Sequence, residues 1–131
     1  MTHSVEFKVR DYELDMQGVV NNGVYSNYFE HARHEYLLDK NVDFAELARQ
    51  GINLVVSRIE IDYRKALTSG QVFQVETCAA QVSKLKFQFE QRLLNQDAEL
   101  CAKAVVTGVA VNAKSGRPMR LEGLEQIFTQ A

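Results

Sequence analysis

Residues 10–36 read RDYELDMQGVVNNGVYSNYFEHARHEY, and this stretch joins two patterns. In its second half, apolar side chains recur at Val24, Tyr25, Tyr28, Phe29, Ala32, Tyr36 and, one residue on, Leu37, with polar residues between them. That is the spacing of one helix face, and it predicts a helix of roughly 16 residues. The first half places carboxylates, one glycine and the run Asn21-Asn22-Gly23 just ahead of the helix start. Asn21 or Asn22 can cap the helix, and the free N–H groups of a first turn, at the positive end of the helix dipole, can hold an oxygen gaining negative charge. An oxyanion hole can be built this way without side chains. Asp15 lies seven residues before Asn22, so a loop turning at Gly18 can fold its carboxylate back toward the same spot.

Outward from this stretch the pattern changes period. Val5, Phe7 and Val9 alternate with Glu6 and Lys8, which predicts a half-buried opening strand. After the helix, Asp43 precedes Phe44, Leu47 and Ala48 continue an apolar face and Gly51 suits a stop, so a second helix of about two turns is expected. From Val55 the odd positions Val55, Ile59, Ile61 and Tyr63 are apolar, and similar segments follow at 71–82, 84–94 and 99–112. The breaks Thr68-Ser69-Gly70, Asn95-Gln96-Asp97 and Asn112 to Gly116, closed by Arg117-Pro118, have turn chemistry and are expected to join antiparallel neighbours. A tail with Leu121, Leu124, Ile127 and Phe128 is expected to form a last helix. Strand, long helix, short helix and four successive strands make an α+β layout in one domain, residues 1–131. The helix needs a cover, and a curved antiparallel sheet of about five strands supplies it. Its exposed edges point to edge-to-edge pairing of two copies.

Composition excludes several classes. The chain has 131 residues, 46% hydrophobic and 24% charged, which is the profile of one folded globular domain rather than a disordered chain. Fifteen Lys plus Arg against seventeen Asp plus Glu give a formal charge of −2, which offers no footprint for nucleic acid. Apolar runs are far below the roughly 20 residues that cross a bilayer, so no membrane span is expected. The first residues lack a signal-peptide pattern and read as the start of a cytoplasmic protein. Cys78 and Cys101 stand in apolar surroundings with no CxxC and read as buried thiols.

The chain carries no G-x-S-x-G, G-x-G-x-x-G or phosphate-loop motif. His31 and His34 share a helix edge between Glu30 and Glu35, but no third or fourth metal ligand is placed by the sequence. They are expected, with Arg33 and Glu30, to form a solvated face with local ion pairs, and no metal is expected.

The segment from Arg10 to Tyr36 resembles the signature D-x-x-G-[HVI]-V-(x)-N/H-x-x-Y-x-x-[YF]-[FL]-E of the hotdog-fold acyl thioesterases. The group includes 4-hydroxybenzoyl-CoA thioesterases, short bacterial acyl-CoA thioesterases and plastid acyl-ACP thioesterase-like proteins. More weakly, Ile59 to Tyr63, Ala66 to Gln71 and Ser83 to Glu90 look like the family's strands after the helix. The resemblance implies hydrolysis of an acyl-CoA or acyl-carrier-protein thioester without a cofactor. It implies Asp15 as the catalytic carboxylate, either nucleophile or general base, and the backbone N–H of Asn22 as the group that polarises the thioester carbonyl. One branch carries His where this chain has Asn22, and that role does not transfer. Gly18, Val19, Asn21, Gly23 and Tyr25 are the expected substrate-binding positions, although Tyr25 also reads as core. Arg58, Arg64, Lys65, Lys84, Lys86 and Arg117 are candidates for the CoA phosphates. A homodimer or homotetramer with the substrate channel at an interface is implied. The alternatives are a non-catalytic acyl-thioester binding module and a hotdog dehydratase or hydratase, the latter needing a histidine in the loop.

Overall fold

Strand β1 (His3–Lys8) opens a computed structural model that describes residues 3–128. Its side chains alternate between half-buried and exposed, as the period-two sequence requires. A single 3-10 turn at Asp11–Glu13 and a loop lead into helix α1 (Asn22–Asp39). The buried residues of α1 are Tyr25, Tyr28, Phe29, Ala32, Arg33, Tyr36 and Leu37, spaced three and one along the helix, so one continuous stripe meets the sheet. Asp43 caps α2 (Phe44–Arg49) by accepting from the Ala45 N–H at 2.8 Å.

Four long strands follow: β2 (Ile52–Tyr63), β3 (Val72–Gln81), β4 (Lys86–Asn95) and β5 (Leu100–Asn112), and a two-residue β6 (Pro118–Met119) pairs with β5. The sheet is antiparallel throughout, with order β1-β3-β4-β5-β2. A hotdog arrangement results, one sheet curved about one main helix. The face toward α1 is bulky on β3 and β4 (Phe73, Phe87, Phe89, Leu93) and small on β5 (Ala102, Ala104, Gly108, Ala110). At Gly108 a Cβ would meet Cζ of Phe87 at 2.6 Å, so the ring lies on bare backbone.

Three expectations need correction. The break at Thr68-Ser69-Gly70 does not join neighbouring strands, because β2 lies on one edge and β3 is separated from it by β4 and β5. The intervening segment instead runs past the start of α1, where Leu67 is buried and its C=O accepts from the Val20 N–H at 2.9 Å. The tail buries Leu121, Leu124 and Ile127, but it forms one 3-10 turn at Glu125–Ile127 rather than a helix, with Gly123 in the left-handed region at φ +88°. Cys78 is only half-buried, whereas Cys101 is buried, and burial raises both thiol pKa values.

Candidate functional site

The loop from Leu14 to Val20 closes on itself. Leu14 bridges Val20, Val19 bridges Thr68, and the Asp15 N–H donates to the Val19 C=O at 2.8 Å. The turn reverses at Gly18, whose φ of +80° suits glycine. Inside it, one carboxylate oxygen of Asp15, Oδ1, accepts from the N–H groups of Gln17 (2.8 Å) and Val19 (3.4 Å). Oδ2 has no hydrogen bond among the described residues.

Seven residues on, the helix begins with an Asx cap. Asn21 Oδ1 accepts from the Gly23 N–H at 2.9 Å, and the Asn21 C=O accepts from the Val24 N–H at 2.9 Å. Asn22 is thus the first helical residue, and its N–H has no partner among the described residues. On its other side, the Asn22 C=O accepts from the Tyr63 hydroxyl at 3.0 Å.

Asp15 and Asn22 line one cavity of about 430 Å³, with Val19, Val20, Tyr25, Tyr63, Arg64, Lys65 and Ala66 completing the wall. Tyr25 is buried, meets Tyr63 edge-on at 5.1 Å, and has a pKa raised by burial, partly offset by a backbone hydrogen bond from Leu67. Lys65 binds Glu99 at 2.7 Å; that hydrogen bond raises the lysine pKa and lowers that of the carboxylate. Arg64 has no ion pair among the described residues. A carboxylate oxygen and an unsatisfied N–H on one wall can act on opposite aspects of a carbonyl, one delivering an oxygen nucleophile and the other holding the developing oxyanion.

Of the residues expected from sequence, the cavity gathers Asp15, Asn22, Val19, Tyr25, Arg64 and Lys65. Gly18, Asn21 and Gly23 shape the loop and cap outside its lining. Arg58 pairs with Glu60 at 3.2 Å in mid-β2, and Lys86 stands opposite Val109. The Arg64 and Lys65 N–H groups bind Cys101 C=O, so eight β5 residues, about 26 Å, separate Lys86 from the cavity. Lys84 neighbours Lys86 at the same far turn, where its C=O accepts from Leu121, and Arg117 lies just before β6. Val20, Tyr63 and Ala66 were not among the expected site residues. Tyr63 is the last residue of the alternating strand pattern and precedes the Arg-Lys pair, a placement at a strand end that marks it.

The expected solvated face is corrected at Arg33, which is 7% exposed and donates from Nη1 to Gln91 Oε1 at 3.1 Å. His31 faces Glu35 at 3.7 Å and His34 meets Phe44 at 5.0 Å between ring centroids. Among the described residues no three His, Cys, Asp or Glu side chains gather as metal ligands, and no helix is long and apolar enough to cross a membrane.

The sequence pattern of the thioesterase-like superfamily matches residues 9–126. The chain belongs to this superfamily. This thioesterase-like chain is 41% identical over 122 residues to the chloroplastic acyl-acyl carrier protein thioesterase ATL2 of Arabidopsis thaliana, an alignment that covers 91% of the chain but only 63% of that relative. It is 32% identical to the acyl-CoA thioesterase YbgC of Haemophilus influenzae, over 91% of this chain and 89% of the other. Among solved structures it is similar to a hypothetical protein of Aquifex aeolicus, with a TM-score of 0.86, 28% identity, and coverage of 95% and 98% of the two chains.

Proposed function

We propose that the protein hydrolyses an acyl thioester of CoA or acyl carrier protein to the free acid and the thiol. The observation that carries this reading is the shared cavity wall of Asp15, with Oδ2 uncommitted, and Asn22, with its N–H unsatisfied. The carbonyl oxygen accepts from the Asn22 N–H. Asp15 then either attacks the carbonyl carbon, giving an anhydride that water cleaves, or takes a proton from the attacking water. In both routes the C–S bond breaks and the sulfur leaves as thiolate, to be protonated. One oxyanion donor of this kind contributes about 2.7–4 kcal/mol. No histidine lines the cavity among the described residues, which weighs against dehydratase chemistry. Arg64, unpaired beside the site, is the first candidate for a CoA or pantetheine phosphate.

The reading includes a second copy along β2. This edge strand exposes Val55, Val56, Ile59 and Tyr63. Antiparallel pairing about Ile59 sets Val55 opposite the partner's Tyr63 and Arg58 opposite the partner's Glu60, so the edge is self-complementary in both apolarity and charge. It also brings the Asp15 cavity of one copy beside the Val55–Val56 end of the other.

Thiol release from benzoyl-, short-, medium- and long-chain acyl-CoAs and the matching acyl carrier proteins tests the proposal. Turnover is expected in wild type and its collapse in Asp15→Asn. Equal turnover in both proteins removes Asp15 from the chemistry. Binding without release in wild type makes the protein a binding module.

A further inference from the structure

The chain has a single Asn-Gly pair, Asn22-Gly23, and its asparagine lines the Asp15 cavity. An Asn-Gly pair is prone to modify itself, because a nitrogen that carries no shielding side chain can close a five-membered ring on the asparagine side chain. Both residues are exposed, and the Asn22 side-chain amide has no hydrogen bond among the described residues. Beyond its sequence neighbours and its own helix backbone, only Asn21 Oδ1 comes within 4 Å of the place a Gly23 Cβ would take, at 3.4 Å. The approach to the Gly23 nitrogen is open.

What opposes the reaction is the helix. Ring closure needs Asn22 to rotate out of the helical conformation, and three hydrogen bonds resist that rotation. The Gly23 N–H donates to Asn21 Oδ1 (2.9 Å), the Val24 N–H to the Asn21 C=O (2.9 Å), and the Tyr63 hydroxyl to the Asn22 C=O (3.0 Å). Because Asn22 is the first residue of α1, the rotation opens only this turn and leaves the rest of the helix in place.

We infer that Asn22-Gly23 is a site of spontaneous deamidation, held in check by the Asn21 cap and the Tyr63 contact, and that its conversion sets a second acid in the wall beside Asp15. The Gly23 nitrogen gives its proton to water and attacks Asn22 Cγ. The N–Cγ bond forms, the Cγ–Nδ2 bond breaks, and ammonia leaves with a proton taken from water. A second water opens the succinimide, either at Cγ to give aspartate or at the backbone carbonyl to give isoaspartate, whose main chain is longer by one methylene. Either product carries a carboxylate that repels a developing oxyanion at the helix start. This loss of turnover, unlike the modification itself, rests on the proposed thioesterase reading.

The test ages the full chain in mildly alkaline buffer, native and in urea, and reads acid formation at every asparagine by peptide mass spectrometry. Native wild type is expected to convert Asn22 ahead of every other asparagine, yet more slowly than the same chain in urea. Asn21→Ala and Tyr63→Phe each release part of the hold, and loss of the cap raises the native rate about fivefold. Gly23→Ala shields the nitrogen and brings Asn22 down to the level of the other asparagines. No excess conversion at Asn22 in native wild type overturns the inference. Equal rates in native and urea-unfolded wild type overturn the restraint by the cap and Tyr63, even should a variant fail to fold. Thiol release is expected to fall in step with conversion, and release that holds while Asn22 converts removes the catalytic consequence. Should fresh wild type release no thiol, the thioesterase reading falls while the mass measurement still decides the modification.

Discussion

The Tyr28 hydroxyl donates to Glu13 Oε1 at 2.7 Å, tying the second turn of α1 to the loop that carries Asp15. The same oxygen accepts from the Arg10 N–H at 2.8 Å, and the Glu13 C=O accepts from the Asn21 N–H at 3.0 Å. Glu13 is therefore the clamp between loop and helix start, at a position for which the sequence offered no role. Tyr28→Phe leaves a buried carboxylate short of one donor and is expected to lower stability by about 1–3 kcal/mol. Urea unfolding measures this, and a matching fall in kcat is expected as the loop loosens.

Tyr28 also gives stability a pH dependence. Burial and the hydrogen bond to Glu13 raise its pKa above the ordinary tyrosine value of about 10. The unfolded chain loses this proton first, so the contribution is complete below pH of about 10 and declines as pH rises beyond it. Tyr25, raised chiefly by burial, acts in the same sense. Alkaline melting of wild type and Tyr28→Phe should show the shallower decline in the variant.

Asn22→Pro isolates the backbone donor. Proline is favoured at the first helical position, and Asn21, at φ −60° and ψ 138°, already has the conformation that precedes proline. The fold is expected to persist while the proposed carbonyl site loses one N–H, its hydrogen replaced by the ring methylene, for a fall in kcat of about 100-fold or more. Asn22→Ala, which keeps the N–H, is the control. Equal activity in Asn22→Pro and Asn22→Ala would remove the oxyanion role.

In the proposed dimer, Ile59→Lys would set two like charges against each other at the centre of the β2 edge. A monomer by light scattering and loss of thiol release are expected together. If the proposed pairing holds, either single change, Arg58→Glu or Glu60→Arg, is expected to weaken the dimer and the double exchange to restore it.

Gly108→Ala drives a methyl into the Phe87 ring, which is buried and has aromatic neighbours in Phe89 and Phe128. A loss of about 1–3 kcal/mol is expected from overpacking, and Phe87→Leu in the same chain should recover part of it.

Much of this was legible in the residues because periodicity reports local geometry. The α1 stripe, the alternation in β1 and the polar loop before Asn22 each follow from spacing over a few positions. The β2–β3 relationship was not legible, because Thr68-Ser69-Gly70 specifies a change of direction and says nothing of which strand lies beside the next. Arg33 was misread from its charge. Its phase told otherwise: it sits four residues after Phe29 and three before Tyr36, on the apolar stripe. The start of β2 at Ile52 preceded the expected Val55, since Gly51 ends α2 and the chain extends at once.

The edge position of β2 has a consequence in time. Its partner in the sheet is β5, with Ile52 opposite Asn112, so β2 emerges from synthesis long before the strand that receives it. Pairing this distant in sequence forms slowly. Until β5 arrives, a twelve-residue segment rich in valine and isoleucine stands unpaired on both sides, and afterwards on one. Arg58, Glu60 and Asp62 interrupt it at alternate positions. In registers other than the proposed pairing about Ile59 these charges lose their match, which disfavours premature association during that interval.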